Sequence, residues 1–172
     1  MTPTLPEPLE HLLRPLFDAL PLNRAMGTLV VNGGAAPHLE MAERIAADPA
    51  LADRPEVLAG LWLYVDQLDR SHAISQSIET PTGSFWHAIM HRREGDFSNS
   101  KYWYRRVGTH PAMSRIDLGG GSAAAGTGIG GYDPQHFVDK VGRCVHEGGR
   151  CDELVSMQRR EWVALFEWCA EH

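Results

Sequence analysis

Cysteine is scarce in this sequence: Cys144, Cys151 and Cys169 are the only three in 172 residues. No C-x-x-C pair occurs, and a zinc site at Cys144, His146 and Cys151, which are close in sequence, would need a fourth ligand. Positive charge is also in short supply. Sixteen Lys and Arg stand against 22 Asp and Glu, for a net charge of −6, so a broad nucleic-acid-binding face is not expected. No run of about 18 apolar residues exists to span a membrane. The N-terminus lacks a basic region followed by an apolar core, so no secretory leader is expected and cytoplasm is the default location. There is no sustained two-residue alternation of the kind a half-buried strand requires. No G-x-S-x-G elbow accompanies the serines near the histidines, which argues against a Ser/His hydrolase.

What is present is helical spacing. The composition, 43% hydrophobic and 22% charged, is that of an ordinary globular domain. The length fits one domain spanning residues 1–172. We expect an all-α bundle of about six helices. Leu9, Leu12, Leu13, Leu16 and Phe17 mark a first helix, kinked or shifted by Pro15. Thr28 to Val31 reads as extended chain packed on helices. Residues 37–47 form a helix with Leu39, Ala42, Ile45 and Ala46 inward and His38 exposed. Asp133-Pro134 opens a helix with Phe137, Val138, Val141 and Val145 on one face, and Gly148-Gly149 stops it. Asp152 begins the last helix, with Val155, Trp162, Val163, Leu165, Phe166 and Trp168 as its core face. Residues 117–132 are glycine-rich. Gly126, Gly128 and Gly131 satisfy G-x-G-x-x-G, but no strand or βαβ pattern surrounds them, so a flexible loop or lid is expected rather than a dinucleotide site. Cys144 and Cys151 could bridge if the loop between them folds back, but in a cytoplasmic protein free thiols are expected. Cys169 reads as a small buried hydrophobe.

The chemistry is concentrated in residues 55–107, which carry three of the five tryptophans and three of the nine histidines. After Pro55, the residues Leu58, Leu61, Val65 and Leu68 recur at three- and four-residue steps, and the next step of that stripe is His72. Asp69 and Gln76 flank His72 on the same helix. Pro81 and Gly83 are expected to end this helix, with Thr82 or Ser84 capping the next. That next helix places His87 and His91 at i and i+4, with Glu94 one step on. Two histidines so spaced can grip one divalent ion, as in the zinc-protease helix, although Ala88 stands where that motif needs glutamate. The expected site is therefore His72, His87 and His91 around zinc, manganese or iron, with Glu79, Glu94 or Asp69 as fourth ligand or general base. Gly95 ends the histidine helix, and Asp96 or Ser98 caps another. Arg92, Arg93, Arg105, Trp86 and Trp103 are the candidate substrate-binding residues, since guanidinium forks and aromatic faces suit a small anionic ligand.

The string Trp86-His87-Ala88-Ile89-Met90-His91-Arg92-Arg93-Glu94-Gly95-Asp96-Phe97-Ser98-Asn99, followed by Lys101-Tyr102-Trp103, resembles a family of uncharacterised bacterial proteins. The likeness extends to Tyr132-Asp133-Pro134 and the tryptophan-rich last helix. It implies a compact domain and lends no activity. Three functions follow from the residues. The first is a small metal-dependent hydrolase, lyase or isomerase acting on a small anionic or polar substrate. The second is a module that binds an anionic or aromatic ligand without turnover. The third is an oligomerising domain, such as a homodimer, with exposed Trp and Tyr at the interface.

Overall fold

The computed structural model describes residues 3–33, 38–117 and 131–172. Eight helices make up the described chain: α1 (Glu7–Ala19), α2 (Leu39–Ala46), α3 (Pro55–Tyr64), α4 (Leu68–Ser75), α5 (Pro81–Glu94), α6 (Phe97–Val107), α7 (Pro134–Glu147) and α8 (Asp152–Glu171). Short 3₁₀ turns lie at Pro49–Leu51 and Pro111–Arg115. No strand occurs among the described residues, and the helices share one core. The all-α expectation holds at that level, with eight helices rather than about six. Most of the glycine-rich segment, residues 118–130, lies outside the described residues.

Two helical hairpins carry the central region. In each, a buried serine ties the second helix to the first. The Ser71 hydroxyl donates to the Ala59 carbonyl at 2.9 Å, and the Ser100 hydroxyl donates to the Ala88 carbonyl at 2.8 Å. In the α5–α6 hairpin the turn is local chemistry. Gly95 takes φ 90°, and the Gly95 and Asp96 amides return to the carbonyls of Arg92 and His91. That is a Schellman close, which favours glycine because a side chain strains the left-handed backbone. Asp96 then caps α6 by accepting from the Asn99 amide at 3.0 Å.

The α3–α4 hairpin departs from the expected single helix. The apolar stripe from Leu58 to His72 is interrupted at residues 65–67, where Asp66 adopts φ 59°. The Asp66 and Gln67 amides bond to Leu63 and Trp62 in the same Schellman pattern. Asp66 replaces the usual glycine because tertiary contacts hold it. Arg93 donates to the Leu63 carbonyl at 2.9 Å and to the Asp66 carboxylate at 2.7 Å. The start of α5 also differs. Pro81 and Gly83 open this helix rather than ending the previous one, and Thr80 is its cap, accepting from the Gly83 amide at 3.2 Å. Proline at the first helical position loses no hydrogen bond there.

Helix α5 is enclosed on all sides, and every residue from Gly83 to Arg93 is buried. Helix α8 braces it through α3. At the crossing, a methyl group on Gly60 would lie 2.6 Å from Phe166 and 2.8 Å from Trp86, so only glycine permits this approach. The Gly60 carbonyl accepts from the Trp162 indole at 2.9 Å. Trp162, Val163, Leu165 and Phe166 are buried as expected, whereas Val145 of α7 is 42% exposed and does not join the core face. Thr28 to Val31 is non-helical and lies against the end of α5, where the Val31 amide reaches the Arg93 carbonyl at 2.8 Å.

The expectation of free thiols at Cys144 and Cys151 is overturned. The two form a disulfide across the Gly148-Gly149 turn, with Cα atoms 6.3 Å apart. Gly148 in a left-handed conformation closes α7 and returns the chain toward Cys144. Cys169 is buried and free.

Candidate metal centre

Helix α5 supplies His87 and His91, and α4 crosses it so that His72 completes a triad. The ligand nitrogens of the three lie within 4.8 Å of one another. A tetrahedral ion with metal–nitrogen bonds near 2 Å needs its donors about 3.4 Å apart, so the three nitrogens would draw closer together around an ion. The ring planes are held by packing. His87 stands between His91, 4.7 Å away at 19°, and Trp103 of α6, 4.1 Å away at 12°. His72 meets His87 edge-on at 4.7 Å and 73°. Both faces of the His87 ring are covered, and its ligand nitrogen remains beside those of His72 and His91.

His91 is oriented from behind. Its Nδ1 donates to Glu94 at 2.8 Å, which leaves Nε2 as the ligand atom. A carboxylate on the far side of a ligating imidazole fixes the tautomer and raises the basicity of the donor. Burial, together with the neighbouring His91 and His72, pushes the His87 pKa down to about 4. His87 is therefore neutral with a lone pair available at ordinary pH. Its Nδ1 is enclosed and has no hydrogen-bond partner, an arrangement that costs about 1–3 kcal/mol unless something satisfies it.

The three carboxylates expected here are distributed differently. Glu94 forms a second donor group with His91 and Asp96, whereas Asp69 and Glu79 belong to neither donor group and are exposed. Asp96 is already occupied by the Asn99 amide and the Ser98 hydroxyl.

Several expected substrate-binding residues are structural. Arg92 has no exposed surface and pairs with Glu161 of α8, which is equally enclosed. Tyr104 and Tyr132 donate their hydroxyls to the same carboxylate, and Arg92 lies 4.5 Å over the Phe137 ring. Burial alone would lower the Arg92 pKa, but Glu161 reverses this and the guanidinium stays charged. Arg93, also fully buried, is spent on Asp66 and the carbonyls of Leu63 and Thr28. Trp86 is a core side chain with no exposure. A charged head on a helix enclosed on all sides must find its partner inside the protein, which is why adjacent arginines beside the histidines do not face solvent. Of the candidates, Trp103 alone lies against the triad, and Arg105 is exposed with no ion-pair partner among the described residues.

Sequence reasoning missed two residues. Glu161 was visible in principle. With Gln158, Trp162, Leu165, Phe166 and Cys169 it continues the three- and four-residue stripe of α8, a polar residue at a core position much as His72 is. Arg106, which lies over Trp103 at 5.2 Å, has no local signal that separates it from Arg105.

Elsewhere, His110 caps the 3₁₀ turn at Pro111–Arg115 by accepting the Ala112 amide at Nδ1, 3.1 Å away. Its Nε2 must then donate to Thr82, 3.1 Å away, so the pair is not an activated nucleophile. A cavity of about 690 Å³ between α7 and α8, bordered by Tyr132, Lys140, Met157 and Arg160, shares no residue with the histidine cluster. No described helix is long and apolar enough to cross a membrane. No family model matches this sequence, and no curated protein or solved structure matches it either.

Proposed function

We propose that the protein is a divalent-metal-dependent enzyme of the hydrolase, lyase or isomerase kind, acting on a small anionic or polar substrate at His72, His87 and His91. The observation that carries this reading is the convergence of three imidazole nitrogens within 4.8 Å on two helices. One of them is already oriented by a carboxylate at 2.8 Å. Three imidazole nitrogen donors suit zinc, manganese or ferrous iron, and they leave at least one coordination position for water or substrate. A metal there supplies a Lewis acid and lowers the pKa of bound water. Glu94 acts as the positioning residue for His91. Trp103 keeps the His87 ring in plane and screens it from solvent.

The test is metal content by mass spectrometry after exposure to zinc, manganese and ferrous iron. Wild type would be compared with His72→Ala and His91→Ala, and with His136→Ala on the exposed face of α7 as control. Near one ion per chain is expected in wild type and His136→Ala, and well under half of that in the other two. Loaded and chelated protein would then be compared on small esters, amides and phosphate esters. Absence of metal from wild type, or equal metal in all four proteins, overturns the reading.

A further inference from the structure

Arg106 differs from the other arginines around the centre. Its guanidinium lies 5.2 Å over the Trp103 ring and 6.0 Å from that of Tyr102. Tyr102 is 45% exposed and meets Trp103 edge-on at 5.5 Å and 84°. Two aromatic rings therefore hold this cation at the surface, where an arginine otherwise moves freely on its stem. Arg92 spends its charge on the buried Glu161 carboxylate and Arg93 on the half-buried Asp66 carboxylate. Arg70, Arg115 and Arg150 are also paired with acids. Arg106 has no carboxylate partner among the described residues, so its fork of N–H donors is unspent.

The position of this cation matters because of what lies beneath it. One face of Trp103 is stacked on His87 at 4.1 Å. A stacked ring has only its opposite face or its rim left for a cation. Arg106 therefore stands at the free face or rim of Trp103, the ring that covers His87. A guanidinium fork matches the two oxygens of a carboxylate. One such fork on a chain of net charge −6 balances a single negative charge better than a phosphate dianion.

We infer that Arg106, held against Trp103 and Tyr102, is the specificity-determining residue of the centre. It takes the carboxylate of a small substrate whose other end reaches the metal past the edge of the Trp103 ring. The inference rests on the three-histidine reading and deepens it by naming the substrate class and the residue that selects it. It also moves the anion-binding role from Arg92, Arg93 and Arg105 to Arg106.

The test uses the full chain loaded with cobalt(II), whose visible absorption reports both occupancy of the histidine site and ligand binding to the ion. Two probes share a metal-binding hydroxamate. Acetohydroxamate ends in a methyl group, and succinate monohydroxamate ends in a carboxylate. Wild type is expected to bind the carboxylate probe about tenfold more tightly than the neutral one, the effect of one charge-assisted contact. Arg106→Gln should bind both probes equally, with cobalt content and affinity for the neutral probe unchanged. Arg106→Lys, which keeps the charge and loses the fork, should fall between them.

The outcomes separate the two readings. Cobalt bound with no preference in wild type, or a preference that survives Arg106→Gln, overturns the role of Arg106 and leaves the metal centre standing. No cobalt spectrum in wild type removes the metal centre and the role of Arg106 with it.

Discussion

Glu161→Gln is expected to be among the most damaging single substitutions in this protein. The Glu161 carboxylate is fully enclosed and neutralises a fully enclosed guanidinium, Arg92. It also accepts the hydroxyls of Tyr104 and Tyr132. Glutamine has the same shape but no charge, and its amide N–H group faces the N–H donors of Arg92. Removing one partner of a buried pair costs about 3–5 kcal/mol, because the remaining charge has no compensation. A guanidinium cannot shed its proton to escape this cost. Against a total stability of about 5–15 kcal/mol, and with a urea slope of about 2 kcal/mol per molar, the unfolding midpoint should fall by about 2 M. The opposite change, Arg92→Met, should cost less, about 2–3 kcal/mol. It leaves a carboxylate that keeps both tyrosine hydroxyl donors, while the thioether retains contact with Phe137. Urea unfolding followed by tryptophan fluorescence measures both. A Glu161→Gln midpoint within 0.5 M of wild type (roughly 1 kcal/mol at that slope), or a larger loss for Arg92→Met than for Glu161→Gln, would refute the reasoning.

Further outcomes follow from the same geometry. Gly60→Ala places a methyl group 2.6 Å from Phe166 and should cost about 1–3 kcal/mol by overpacking, lowering Tm by a few degrees per kcal/mol. His87 and His110 are both held neutral to about pH 4, first by burial and then by neighbouring histidines. The unfolded chain takes up these protons near pH 6.5, so it binds more protons than the folded chain between those values. Stability of the chelated protein should be complete above pH 6.5 and fall as pH drops toward 4, by at most about 1.4 kcal/mol per pH unit for each histidine. His110→Asn, which keeps a cap acceptor for Ala112, should flatten that slope in denaturation series from pH 7.5 to 4.5, and an unchanged slope would count against the His110 contribution. Reduction of Cys144–Cys151 should cost about 2 kcal/mol by releasing a short closed loop in the unfolded chain, which thermal melts with and without reductant can read.

The site's histidines were legible because each broke or repeated a simple period. His72 occupied a core position on an apolar stripe, and His87 and His91 lay one turn apart. The caps at Asp96 and Asp133 were legible because capping is decided within four residues. The arginines were not, because the fate of Arg92 depends on Glu161, 69 residues away, and that of Arg93 on Asp66, 27 residues back. The break between α3 and α4 was hidden for the same reason. A left-handed aspartate is costly in isolation and persists here because Arg93 grips both its carboxylate and the Leu63 carbonyl at the end of α3.

These two ion pairs also explain why the histidine centre can be built on an enclosed helix. An imidazole triad tolerates burial because its members can be neutral, and the His87 pKa near 4 reflects that. The two arginines that follow His91 cannot be neutral, so the chain supplies one carboxylate from α8 and another from the α3–α4 turn. Arg93 thereby ties the end of α5 to the turn that sets the direction of α4, the helix carrying His72. Loosening that tie should displace His72 relative to His87 and His91. Asp66→Asn retains an acceptor for Arg93 but removes its charge. It should therefore weaken cobalt(II) binding at the proposed three-histidine centre severalfold while leaving His87 and His91 on an intact α5. Titration of the variant with cobalt(II), read beside its helical content by circular dichroism, would show this. Wild-type cobalt affinity in a variant whose stability has dropped would separate the Arg93 tie from the metal centre and leave it a purely structural feature.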